Sequence, residues 1–111
     1  MRPHKLLLAL LFVSTSASAA FRDGNKLLSD IRSSHLDDNI YAIGYIAGVT
    51  DAMHGIMHCA PGNVTLSQII DMTKEYLVKN ASIRNLAADV LVGTMLSVRW
   101  PCNTEKKGTP L

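Results

Sequence analysis

The sequence predicts a small all-α protein: a four-helix bundle closed by one disulfide, preceded by a cleaved signal peptide. Three observations lead there. Apolar residues recur at helical spacing in four stretches and no alternating strand pattern competes with them. The first twenty residues read as an export signal. The chain also holds two cysteines, Cys59 and Cys102, which an oxidising compartment joins more readily than it keeps free.

The export signal comes first in the chain. Met1 to Lys5 is a basic head, Leu6 to Val13 an apolar run, and Ala17-Ser18-Ala19 a small-x-small cleavage pattern. Eight apolar residues are too few for a bilayer core, which needs about 20. Residues 1–19 are therefore read as signal peptide and residues 20–111 as one domain of about 92 residues, periplasmic and free of the membrane after cleavage. Removing Arg2 and Lys5 leaves nine basic against nine acidic residues. A neutral domain with no basic stripe does not suit nucleic acid, and no glycine-rich phosphate loop is present.

The first helix is short, capped by Asp23 or Asn25, with Leu27, Leu28 and Ile31 inward. The second is expected from Asn39 to His58, capped by Asp37 or Asp38. It is apolar nearly all round, through Ile40, Ile43 and Ala47 on one side and Tyr41, Tyr45 and Val49 on another. Such a helix reads as the buried centre of a bundle. Gly44, Gly48 and Gly55 form a seam expected to seat a neighbouring backbone, and Asp51 a buried carboxylate tying the bundle together. Cys59 to Asn63 is a turn by composition.

Thr65-Leu66-Ser67-Gln68 is a capping box opening the third helix, with Leu66, Ile69, Ile70, Thr73, Tyr76 and Leu77 on one face. The fourth is expected from Ile83 to Val98, with Leu86, Val90, Leu91, Met95 and Val98 inward and Pro101 as its stop. Cys102 then returns to Cys59 across 43 positions, a loop whose closure stabilises by about 4 kcal/mol on the chain-entropy model.

Candidate chemistry is sparse. Asp51, His54 and His58 fall at helical spacings that place a carboxylate and two imidazoles together, a pattern compatible with zinc. The glutamate of the metalloprotease motif is missing, and surface or interface histidines explain the pattern more simply. A nucleophilic Cys59 beside His58 would require a reduced thiol. The reading is a binding module with no catalytic residue, no metal and no cofactor. Its apolar excess, with Met53, Met57, Met72 and Met95, points to a surface closed by another chain, either a copy of itself or a partner.

Several ordered pieces resemble one family. They are Phe21 with Asp23 to Leu28, Gly44 to Ala52, Cys59-Ala60-Pro61, Val64 to Gln68, and Trp100-Pro101-Cys102. Together they are similar to the Tai-type immunity proteins of type VI secretion systems. Departures are His58 and Trp100 where members often carry phenylalanine, Ala81 where proline is common, and the absence of extra cysteines near Ser34. The resemblance implies a periplasmic antitoxin, often dimeric, that occludes a papain-like peptidoglycan amidase. The expected contact surface is the turn with Ala60, Gly62 and Asn63, together with His54, Met57 and His58. The alternative is an acid-stress chaperone of HdeA type, also small, helical and held by one disulfide.

Overall fold

The computed structural model describes residues 21–103; the signal segment read over residues 1–19 and the tail after Asn103 lie outside the described residues. Four α-helices follow in order: α1 (Gly24–Arg32), α2 (Leu36–Met53), α3 (Leu66–Lys79) and α4 (Ala88–Arg99), with a 3-10 turn at Ala81–Ile83. No helix of the described residues is long and apolar enough to cross a membrane.

The start of α1 is built from two parts of the chain. The Asp23 carboxylate accepts the Lys26 N–H at 2.8 Å, the expected cap. Two more N–H groups at that end, those of Gly24 and Asn25, donate to the carbonyls of Leu86 and Arg84 at 3.0 and 2.9 Å. Ala88 N–H returns a bond to Arg22 O at 2.9 Å. This exchange corrects the fourth helix. It begins at Ala88 and not Ile83, because the carbonyls of Arg84 and Leu86 serve α1 instead of the next helical turn. The approach is close enough to require glycine at position 24. A Cβ there would sit 2.8 Å from Arg84 O and 2.5 Å from Leu91 Cδ1.

At the far end of α1, Asn39 Nδ2 donates to the carbonyls of Asp30 and Ser33 at 2.8 and 3.0 Å, satisfying groups the helix leaves open. The next helix starts at Leu36 with His35 at the cap position, so Asp37 and Asp38 lie inside its first turn and do not cap it. Asp38 instead accepts from Ser33 Oγ at 2.7 Å.

The core consists of Leu27 and Leu28 from α1, Ala42 and Ile46 from α2, Ile69 and Leu77 from α3, and Ala88, Leu91, Val92, Met95 and Leu96 from α4. Thus α4 is the most buried helix, while α2, which packs against the other three, keeps much of its surface exposed. The expected inward set on α4 holds for Leu91 and Met95. Leu86, Val90 and Val98 face outward, and Val92 and Leu96 take their place. The two faces of α2 balance in hydropathy, and that symmetry hides which side is covered. Leu36, Ile40, Tyr41 and Ile43 are all exposed.

The glycine seam also departs from expectation. No atom outside the local helix lies within 4 Å of a Cβ built at Gly44 or Gly48, so within the chain neither seats a backbone. Besides Gly24, the glycine under close contact is Gly93 on α4, where Met53 Sδ lies 2.6 Å from the position a Cβ would take. Nor is Asp51 the buried carboxylate; it is exposed. That place belongs to Asp30, 1% exposed, paired with Arg22 at 2.8 Å and Lys26 at 3.2 Å. The Arg22 guanidinium also lies 3.7 Å from the ring centroid of Tyr41, which stacks on Tyr45.

The third helix follows its pattern closely. Thr65 N–H donates to Gln68 Oε1 at 2.8 Å and Gln68 N–H to Thr65 Oγ1 at 3.2 Å, completing the capping box. Ile69, Thr73 and Leu77 are buried, and Glu75 pairs with Lys79 on the solvent side.

Candidate functional site

The segment joining α2 to α3 carries most of the residues expected at the site. The second helix ends at Met53 and not at His58. The reason is Gly55, whose φ of +79° lies in the left-handed region. Met53 to Ile56 forms a turn closed by Ile56 N–H on Met53 O at 3.1 Å, with His54 at φ −62°, ψ 131°. These angles are those of a type II turn, which demands glycine at its third position. Gly55 N–H then donates to His58 O at 2.7 Å, folding the chain back on itself.

His58 holds that fold. It is fully buried, so it is not the contact residue the sequence suggested. Its Nε2 lies 2.8 Å from Thr50 O, and Ala60 N–H donates to its Nδ1 at 3.2 Å. These bonds assign the proton to Nε2, which donates to a carbonyl left open at the end of α2. Both ring nitrogens are committed to backbone, which removes His58 as a metal ligand. His54 makes a parallel contact, with Nε2 3.1 Å from Ala60 O. Ala60 is also buried, so the expected surface shrinks further.

The cysteines pair as expected. Cys59 and Cys102 form a disulfide with Cα atoms 4.8 Å apart, and Cys59 N–H donates to Trp100 O at 2.8 Å. Two links of different kinds therefore pin the turn to the end of α4.

Beyond the disulfide the chain rises into a ridge. Val64 N–H closes a turn on Pro61 O at 3.1 Å, with Gly62 and Asn63 exposed at its tip. A groove lies on each side, and Pro61 and Val64 line both. The first, about 340 Å³, runs along the end of α2 and is lined by Ala47, Thr50, Asp51, His54, Leu66 and Ile69. The second, about 510 Å³, is bounded by Asn63, Gln68, Asp71, Met72, Arg99 and Trp100.

The expected contact residues thus divide. His54, Gly62 and Asn63 border the ridge or its grooves, and Met57 is exposed beside them; His58 and Ala60 are buried and line the first groove from within. Sequence reasoning misses Ile56, 78% exposed on the type II turn. The signal is present, since an apolar residue directly after a helix-ending glycine has no helix face to turn inward. Asp51 matters for a reason other than the expected one, because it opens onto the first groove.

Among the described residues no cluster of three histidine, cysteine or acidic side chains is placed to hold a metal. The fold and this ridge define a small helical binding module, pinned by a disulfide and presenting a rigid turn between two recesses. More narrowly, the chain belongs to the Rap1a immunity protein family, whose model matches residues 23–102, and is therefore an immunity protein of the type VI secretion kind. Membership implies a cognate toxin as partner and points to binding as the activity. No curated protein matches the sequence.

Proposed function

We propose that the protein is a periplasmic antitoxin that occludes a peptidoglycan amidase effector, in the manner of the Tai-type immunity proteins it resembles. The observation that carries this reading is the pinned ridge at Pro61–Val64. A cleft enzyme is blocked by a convex element that enters without first being ordered, since ordering an interface costs roughly 0.5–1.5 kcal/mol per immobilised side chain. The ridge meets that need through the disulfide, the His58 bonds and the Pro61–Val64 turn. Ile56 and Met57 lie on the adjoining turn and supply exposed apolar contact.

The export reading of residues 1–19 suits a partner that acts on the cell wall. The exposed apolar face of α2, through Leu36, Ile40 and Ile43, suits a second copy of the chain as a further element of the reading.

The test is direct. The exported protein is purified with the effector encoded beside it, and release of stem peptides from peptidoglycan is followed as the antitoxin is titrated. Stoichiometric inhibition is expected, with a mature N-terminus at residue 20 or 21 in periplasmic material. Unimpeded cleavage at saturating antitoxin would refute the reading. Sedimentation equilibrium of the free protein reports the oligomeric state.

A further inference from the structure

The first groove has a chemical asymmetry that occlusion by the ridge does not use. Ala47, Val64, Leu66 and Ile69 give its walls an apolar stretch, Thr50, His54 and His58 line it as well, and the exposed carboxylate of Asp51 stands at the end nearest the close of α2. Among the described residues no cation lies within ion-pair distance of that carboxylate. The end of α2 is also the negative pole of a helix dipole, which favours positive charge. No basic residue occupies its last turn, whereas Arg32, Lys79 and Arg99 occupy those of α1, α3 and α4. Thr50 O and Ala60 O, which face this region, accept from His58 and His54 and so are already satisfied. The open requirement is therefore for a charge on Asp51 carried by an apolar stem.

We propose that this groove is a socket for one long basic side chain of the effector, its methylenes along Ala47, Val64, Leu66 and Ile69 and its charge on Asp51. Lysine and arginine have this amphipathic build, with an aliphatic stem that buries and a head that stays polar. The volume of about 340 Å³ lies at the low end for ligand sites, which suits a single inserted side chain. Pro61, Gly62 and Val64 line the socket, so it adjoins the ridge. The identity of the donor rests on the antitoxin reading; the preference of the groove for such a side chain does not.

The experiment therefore has two arms. In the first, N-acetyl-lysine methylamide and its norleucine analogue, which has the same stem without the ammonium, are titrated into the whole mature protein by amide NMR. Shifts are expected at Ala47, Thr50, Val64, Leu66 and Ile69, with the lysine probe roughly three- to fivefold tighter. Asp51→Asn is expected to abolish that margin, as is high salt. Equal binding of the two probes, or shifts scattered away from the groove, would overturn the socket.

In the second arm the effector is titrated against wild type and Asp51→Lys. Charge reversal on the exposed Asp51 leaves the core untouched and is expected to weaken the complex about tenfold or more. An effector that binds both proteins equally overturns the socket and leaves the antitoxin reading standing. An effector that binds neither, beside a lysine probe that still prefers the groove, overturns the antitoxin reading and the named donor together.

Discussion

Replacing His58 by alanine tests the central claim about the site, that a buried imidazole and not a helical turn shapes it. The substitution removes the donor to Thr50 O at 2.8 Å and the acceptor for Ala60 N–H at 3.2 Å. Each orphaned backbone group costs about 1–3 kcal/mol where water cannot replace the partner. The emptied volume adds a cavity, so the total is about 3–5 kcal/mol. A domain of this size has only about 5–10 kcal/mol to lose. Urea unfolding with the disulfide intact measures the loss, read as a midpoint shift at constant slope. Two further variants separate the bonds. In His58→Asn the amide oxygen stands near the place of Nδ1 and keeps Ala60 N–H paired; in His58→Gln the amide nitrogen extends toward Thr50 O. Each is expected to recover part of the loss, and hydrogen exchange at Ala60 is expected to stay slow in the asparagine variant and quicken in alanine. A loss below about 1 kcal/mol in His58→Ala, with Ala60 still protected, would show that the imidazole does not hold the turn.

Other perturbations probe the frame around the site. Gly24→Ala places a methyl 2.8 Å from the backbone oxygen of Arg84, which cannot swing aside, and is expected to cost about 1–3 kcal/mol by thermal denaturation. Gly93→Ala meets the flexible side chains of Met53 and Met57, and the gain of about 1 kcal/mol in helix propensity offsets those contacts, leaving stability near wild type. Asp30→Asn leaves the half-buried Arg22 without its counter-charge and is expected to cost about 3 kcal/mol in urea titration, at the low end for a broken buried pair because Arg22 is partly exposed and Lys26 reaches water. Partial burial, aided by the nearby Asp89 carboxylate, raises the Tyr45 hydroxyl above its ordinary value of 10.0. The unfolded chain therefore releases this proton first as pH rises. The contribution is whole below pH 10, falls as pH climbs through the folded value, and is absent from the pH slope of a Tyr45→Phe variant.

How far the sequence can be read depends on whether a signal is local. The Thr65–Gln68 capping box and the face of α3 involve residues within one or two turns of each other, and both are legible. So is the disulfide, since a chain with two cysteines has one pairing open to it. The ends of α2 and α4 are not. At α4 the deciding bonds run from Gly24 and Asn25 to Leu86 and Arg84, a meeting between distant segments that no periodicity announces. At α2 the local clue exists in Gly55, but it reads as part of a seam with Gly44 and Gly48 because the apolar pattern runs on to Met57. A glycine at positive φ and a glycine under a packed side chain are indistinguishable in a string of letters. The same holds for Asp30 and Asp51, alike in sequence context and opposite in burial.

The unexpected helix end is what gives the site its form. Had α2 continued to His58, the imidazole would lie on a helix surface and Thr50 O would accept from the N–H of His54, as in any helical interior. Ending the helix at Met53 frees the Thr50 carbonyl, and His58 returns across the type II turn to claim it. The same imidazole accepts from Ala60, the residue before Pro61, so the bond that closes α2 also sets where the ridge begins. The disulfide at Cys59 sits between these two anchors and joins them to α4, the most buried helix. A push on the ridge is therefore borne by the core and not by a loop. A chain that must neutralise a toxin on encounter benefits from that arrangement, because little conformational freedom remains to be lost when the ridge is seized.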